Sequence, residues 1–320
     1  MKKKLGVLLL WALLLGVMAA CGEGEAEEEA AGDAKAEADQ SEELTVEHEL
    51  GETTVEKNPE DVVVFDFGSL DTLDQLGVEV SGVPQANIPS YLEKYESSDY
   101  ENAGGLKEPD FEKIAEMDPG LIVISGRQSD AYEELSKIAP TIYLAVDTEN
   151  YISSFEANVQ TLAEIFDKEE EAEEELSAVK EDIEQLQEKA SALEEEALIV
   201  LANDGKVSAY GAGSRFGILH DEFGFAEADQ NIEASTHGQS ISFEYIAEEN
   251  PDYLFVVDRG AAVGGESSAQ QVIENEIVKQ SKAYENDNIF YLDPNYWYLS
   301  GGGLASVSEM AKEAEEAISP

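Results

Sequence analysis

Cysteine, arginine and histidine are all but missing from this chain of 320 residues, which holds one cysteine (Cys21), three arginines (Arg127, Arg215, Arg259) and three histidines (His48, His220, His237). A single thiol excludes any intramolecular disulfide. Three histidines scattered over the chain do not make the His and carboxylate set that a bare divalent metal needs. Lysine and arginine together number 19 against 71 acidic side chains, for a net charge of −52 with histidine neutral. Such a surface repels nucleic acid and anionic membranes. Catalytic signatures are also lacking: there is no Gly-x-Ser-x-Gly elbow, no Cys–His pairing and no His-Glu-x-x-His run. The one enzymatic arrangement left to consider is a hydrolase using His237 with Ser235 or Ser240, and no catalytic residue is assigned.

What is present at the start reads as an export signal. Residues 1–20 combine Lys2, Lys3 and Lys4 with an apolar stretch from Leu5 to Val17 and small residues at Ala19 and Ala20, a pattern too short for a membrane span. Met18-Ala19-Ala20-Cys21 has the form of a lipobox, so lipid attachment to Cys21 is expected. Residues 21–43 are acidic, lack large apolar side chains, and read as a flexible tether. Removing residues 1–20 takes away three lysines and no acid, leaving 16 basic against 71 acidic side chains, a net charge of −55. The acid is spread along helix faces such as 168–175 and 194–196, which suits a solubility adaptation to a saline habitat.

The remaining chain repeats itself. FEKIAEMDPGLIVISGR at 111–127 returns as FEYIAEENPDYLFVVDR at 243–259, in one register 132 positions later. Each copy reads as an N-cap (Asp110, Ser242), a short amphipathic helix, a proline turn and a buried strand ending near an arginine. Expected strands are Val62–Phe65, Val78–Val83, Leu121–Ile124 and Thr141–Val146, then Leu198–Ala202, Val207–Tyr210, Tyr253–Val257 and Ile289–Leu292. Between the two sets, Leu176, Val179, Ile183, Leu186, Ala190 and Leu193 recur at helical spacing with no Gly or Pro, predicting one helix over 167–195, roughly 40 Å long. The fold class is therefore α/β, with two similar lobes joined by one long helix and a ligand cleft between them. The expected boundaries are 44–166 for the N-terminal lobe, 167–195 for the connector and 196–320 for the C-terminal lobe. A helical connector argues against wide clamshell motion.

All three arginines follow predicted strands, where open α/β sheets bind ligands. Arginine is preferred over lysine where an always-charged, planar donor meets an oxyanion in a partly dry cleft, so three of them imply a ligand of concentrated negative charge. Arg215 lies in the Gly-rich Tyr210–Gly217 turn, which lacks the Gly-Lys-Ser/Thr ending of a phosphate loop. His237 sits in a polar loop before the second repeat. Tyr296, Trp297 and Tyr298 cluster beside glycines after the last strand and suggest stackable ligand surface. Glu112 and Glu244 occupy matching positions in the two repeats. They either complement their helix dipoles or dock a two-fold-symmetric partner.

These segments resemble the iron-siderophore-binding lipoproteins of bacterial ABC importers, particularly the petrobactin-binding members of bacilli. The resemblance spans about Leu44 to Ile318 and is carried by VVVFDFGSLDTLDQLGVEV, GVPQANIPSYLEKY, NAGGLKEPDFEKIAEM, STHGQSISFEYIAEENPD, VVDRGAAVGGESS and DPNYWYLSGGG. It implies a helical-backbone binding protein, monomeric, lipid-anchored on the outer face of the cytoplasmic membrane and without a cofactor. It implies that Arg127, Arg215 and Arg259 neutralise a ferric catecholate complex of the petrobactin type. In the same way it implies that His237 and Tyr298 can fill Fe(III) positions left open by a four-coordinate siderophore, whereas a hexadentate one takes no metal ligand from the protein. Glu112 and Glu244 match glutamates presented to a permease dimer, which works with its ATPase. Haem or a corrinoid on the same fold is the alternative cargo.

Overall fold

Short apolar, β-branched runs alternate with amphipathic helical stretches, and the runs assemble into two sheets. The computed structural model describes residues 42–265 and 267–319, so the signal segment, Cys21 and residues 21–41 of the tether lie outside the described residues. A hairpin of β1 (Glu43–His48) and β2 (Gly51–Glu56) comes first. Sequence patterning missed it because only Leu44, Val46 and Val55 are apolar among its Glu and Thr residues. The tether boundary at 43 also moves, since Glu43 pairs with Glu56. Val46 and Val55 are buried, and the Thr53 hydroxyl donates to the Thr141 carbonyl at 2.8 Å, tying the hairpin to the first sheet.

That sheet contains β3 (Val62–Val64), β4 (Gly82–Val83), β5 (Glu101–Asn102), β6 (Leu121–Ile124) and β7 (Thr141–Tyr143), all parallel in the order β5-β4-β3-β6-β7. Three expected strands are shorter than predicted: β3 stops at Val64 rather than Phe65, β7 at Tyr143 rather than Val146, and β4 loses Val78 to Ser81. Val78 instead returns its N–H to Leu73, closing the helix Phe67–Gln75 through Gly77 at φ 69°, and only Gly82–Val83 pairs. The second sheet contains β8 (Glu196–Asn203), β9 (Lys206–Tyr210), β10 (Ala226–Glu227), β11 (Gln239–Ile241), β12 (Tyr253–Asp258) and β13 (Ile289–Leu292). Its order is β11-β9-β8-β12-β13, with β10 also on β8; β8, β12 and β13 run parallel, and β9 is antiparallel to both neighbours.

The sequence repeat is a structural one. Helices Phe111–Met117 and Phe243–Glu249 are both seven residues long, with Asp110 and Ser242 accepting N–H bonds as caps. Both end on a left-handed residue, Asp118 (φ 50°, ψ 54°) and Asn250 (φ 50°, ψ 53°), before the proline turn into β6 or β12. Asp and Asn tolerate that conformation at low cost.

The connecting helix runs from Glu169 to Ala190, 22 residues, or about 33 Å at 1.5 Å per residue. It is shorter than the expected 167–195. Asp167 is left-handed at φ 51° ahead of its start, and beyond Ala190 the acidic Glu194 and Glu195 would oppose the negative helix C-terminus. Its buried stripe, Ala172, Leu176, Val179, Ile183, Leu186 and Ala190, joins a core shared with the second sheet. The C-terminal helix Leu304–Ile318, assigned by sequence to the second lobe, packs on this connector and also on the helix Phe67–Gln75 of the first. Fully buried Asp71 makes the link, accepting from the backbone N–H groups of Ala305 (3.0 Å) and Ser306 (2.7 Å) at that helix's start. Gly303 is required there, because a Cβ would sit 2.3 Å from the Asp71 carboxylate.

Candidate ligand-binding cleft

The first sheet reverses its strand order between β3 and β6, and the residues after those strands meet. Asp66 follows β3 and caps the helix Phe67–Gln75, accepting from the Ser69 N–H at 2.8 Å and from the Ser125 hydroxyl, just past β6, at 2.6 Å. Two residues on is Arg127. In the second sheet, β8 and β12 are parallel neighbours, and Arg259, directly after β12, donates Nη1–H to Asn203 Oδ1 at the end of β8 (2.9 Å). A topological switch point is where such sheets offer ligands a crevice, and each lobe contributes an arginine to one.

Both lobes' arginines converge on a π-helical turn, Asn295–Ser300. Arg127 donates from Nη2 to the Tyr298 carbonyl (2.6 Å) and from Nη1 to the Leu299 carbonyl (3.1 Å). Arg215 donates from Nη2 to the same Tyr298 carbonyl at 2.6 Å and lies 4.3 Å from the centre of the Tyr298 ring. Arg259 donates from Nε to the Tyr298 hydroxyl at 2.9 Å. The wide π-turn leaves carbonyls pointing out of the ladder, which suits functional positions.

All these acceptors are neutral. Every ion pair found among the described residues joins a lysine to an acid, and none uses an arginine. Burial holds the Arg127 guanidinium below its usual pKa, and the charge of Arg215 adds to this. Burial alone would raise the Tyr298 phenol; the hydrogen bond from Arg259 and the charges of Arg215, Arg259 and Arg127 outweigh it, leaving the phenol below its ordinary value. The site gathers all three arginines of an otherwise acidic protein around one turn. It lines a cleft of about 1670 Å³ that also takes in His237, Asp66 and Tyr143.

The family model for periplasmic binding proteins matches residues 62–296. The chain belongs to the periplasmic binding protein family. It is 49% identical over 320 residues to the petrobactin-binding protein YclQ of Bacillus subtilis, covering 99% of each chain. The crystal structure of that protein superposes with a TM-score of 0.85 at 53% identity, over 87% of this chain and 99% of the other. The catecholate-siderophore-binding protein VctP of Vibrio cholerae gives a TM-score of 0.82 at 40% identity, over 86% of this chain and 100% of its own. The protein is thus a binding component of transport and not an enzyme.

In this binding protein the three arginines, His237 and Tyr298 come together as the sequence suggested, and the other two aromatics do not. Trp297 borders the cleft but is only 2% exposed; its ring packs against Phe216 and Phe223, and its Nε1–H donates to Glu313 at 2.8 Å. Tyr296 is not among the cleft-lining residues and packs against Tyr91, with ring centres 4.8 Å apart. The helical path of the turn causes this, since consecutive side chains point in different directions and only Tyr298 reaches the arginines. Tyr143 supplies aromatic surface that sequence did not assign.

Glu112 and Glu244 are exposed, each second in its helix and away from the arginines. Among the described residues, no group of His, Cys, Asp or Glu is arranged to hold a metal ion. Sequence reasoning missed Asp66, Asn203 and the two turn carbonyls. Asp66, three before Ser69, carried an N-cap signal; the backbone acceptors carried none.

Proposed function

We propose that this protein captures a ferric siderophore of the catecholate, petrobactin type in the two-lobed cleft and hands it to an ABC permease for iron uptake. The observation that carries this reading is the convergence of three guanidiniums on neutral acceptors. Their charge is left for a ligand, and a ferric catecholate complex brings concentrated negative charge with flat rings for Tyr298 and Tyr143. Both similar proteins described above are named for siderophores of that chemistry. His237 and Tyr298 would approach iron only where the siderophore leaves positions open, and both suit hard Fe(III). In this reading Cys21 carries the lipid anchor, the binding protein works as a monomer outside the cytoplasmic membrane, and Glu112 and Glu244 dock one to each half of the permease.

Trp297 is the only tryptophan beyond residue 20, and it adjoins Tyr298, so its emission reports on the site. Titration with ferric petrobactin, iron-free petrobactin, haem and a corrinoid tests the cargo. Saturable submicromolar quenching by the ferric siderophore alone is expected. A response to haem or corrinoid without one to the siderophore would replace the cargo while keeping the fold.

A further inference from the structure

The turn that gathers the arginines is itself held from behind by one carboxylate. Glu313, on the C-terminal helix, accepts the Trp297 Nε1–H at 2.8 Å and the Asp293 backbone N–H at 3.2 Å to one oxygen and 3.3 Å to the other. Asp293 begins the turn, its carboxylate accepting from the Asn295 backbone (2.8 Å) and side chain (2.7 Å), and Trp297 directly precedes the Tyr298 and Leu299 carbonyls. The opposite side of the turn presses on the helix Phe67–Gln75, where a Cβ on Gly68 would lie 2.6 Å from the Ser300 carbonyl. Glu313 therefore closes a clamp on the segment that sets where three guanidiniums point.

We infer that Glu313 is the positioning residue of the arginine cluster, acting through the Trp297 and Asp293 N–H groups to fix the turn on which ligand affinity depends. The inference rests on the cleft reading above. A carboxylate costs more to half-bury than a carboxamide, and in return it offers an acceptor on each oxygen, where a carboxamide or a protonated carboxyl has a single carbonyl. Burial pushes Glu313 up to about 7, and the carboxylates of Asp293, on the facing segment, and Glu309, on its own helix, push in the same direction against the Trp297 and Asp293 hydrogen bonds. The Tyr296 phenol lies in the same field. Neighbouring lysines are engaged elsewhere, Lys189 with Glu315 and Lys312 with Glu309. The clamp is full when Glu313 is ionised and loosens as pH falls through about 7, which couples ligand retention to external proton activity.

The test compares wild type with Glu313→Ala and Glu313→Gln, using ferric petrobactin titrations read by iron-complex absorbance and Trp297 emission of the ligand-free protein across pH 5.5 to 8.5. Glu313→Ala should bind about tenfold more weakly at pH 8, with Gln, which keeps one acceptor oxygen, recovering part of the loss. Wild-type Trp297 emission should show a step near the Glu313 pKa that Glu313→Gln lacks, and the wild-type to Gln affinity ratio should follow that step. Wild-type affinity in Glu313→Ala, or a step that persists in Glu313→Gln, overturns the assignment. If Glu313→Ala does not fold, the Gln comparison decides alone. A wild type that binds no ferric catecholate at any pH refutes the cargo reading instead, and the ligand-free emission step still reports on Glu313.

Discussion

Arg127→Gln should weaken ligand binding and leave the empty protein no less stable, which is the opposite of what a structural strut would do. Arg127 and Arg215 each place an Nη2 at 2.6 Å from one carbonyl oxygen, so those nitrogens are at most 5.2 Å apart. At an effective dielectric near 20, unit charges about 5 Å apart repel by about 3 kcal/mol. Burying an unpaired cation adds several kcal/mol more. Against this, the variant gives up two charge-assisted bonds to carbonyls, about 1.5–3 kcal/mol each, and Gln restores one of them. The balance favours the variant or is near zero, so its ligand-free Tm should equal or exceed that of wild type. Ligand binding goes the other way. A guanidinium about 4 Å from an anionic oxygen gains about 4 kcal/mol at the same dielectric, and solvent in the open cleft reduces this to about 2–3 kcal/mol. That corresponds to a Kd rise of about 30- to 150-fold. Differential scanning calorimetry of the empty protein and titration with ferric petrobactin measure both. A variant that melts several degrees lower while binding at wild-type affinity would refute the claim that this cation is held for the ligand.

Replacing Glu112 and Glu244 together by Gln should leave siderophore affinity unchanged and abolish uptake in cells; normal uptake returns both to a helix-end role. Burial raises Asp71 to about 6, against hydrogen bonds from Ser306 and Ala305. A raised carboxyl stabilises the fold below its ordinary pKa and loses that contribution as pH rises through about 6, so Tm should increase as pH falls from 7 toward 5. Asp71→Asn should remove about 1–1.5 kcal/mol of that dependence between pH 7 and 5 in pH-resolved thermal melts, and an unaltered slope counts against the assignment. The surface charge predicts rising Tm between about 0.05 and about 1 M NaCl as like-charge repulsion is screened; a flat series in circular dichroism would sever the acidity from salt adaptation.

The repeat at 111–127 and 243–259 made the lobes legible, because each copy carries a cap, a periodic helix, a left-handed stop and a buried strand within one short segment, and local chemistry specifies all four. Four-residue β6 and β13 fall on their expected residues for the same reason. The hairpin and the truncated β4 were not legible, since one is alternation carried by Glu and Thr and the other is ended by a backbone bond from Val78 to Leu73. In the cleft, arginine scarcity and position singled out three guanidiniums that the fold brings together on one turn. What sequence does not encode is which face of a π-turn each aromatic takes, and so Trp297 was assigned to the ligand when it belongs to the core.

Extreme acidity makes the arginine site a problem of restraint as much as attraction. With 71 carboxylates in the chain, an exposed cation readily meets one, and ten pairs among the described residues show lysines doing so. Lysine suits this work, being flexible and strongly hydrated, with little stability at stake in a surface pair. Arginine caught by a carboxylate would form a bidentate pair strong enough to compete with the ligand. The fold avoids that by offering each guanidinium a neutral acceptor first, from the Tyr298 and Leu299 carbonyls, the Tyr298 hydroxyl and the Asn203 side chain. Asp66, the carboxylate whose charge Arg127 feels, has its oxygens occupied by Ser69 and Ser125. Replacing Asn203 by Asp would put an acid where the design excludes one. The guanidinium of Arg259 would then be neutralised in place, and ligand affinity should fall as far as it does on removing the arginine.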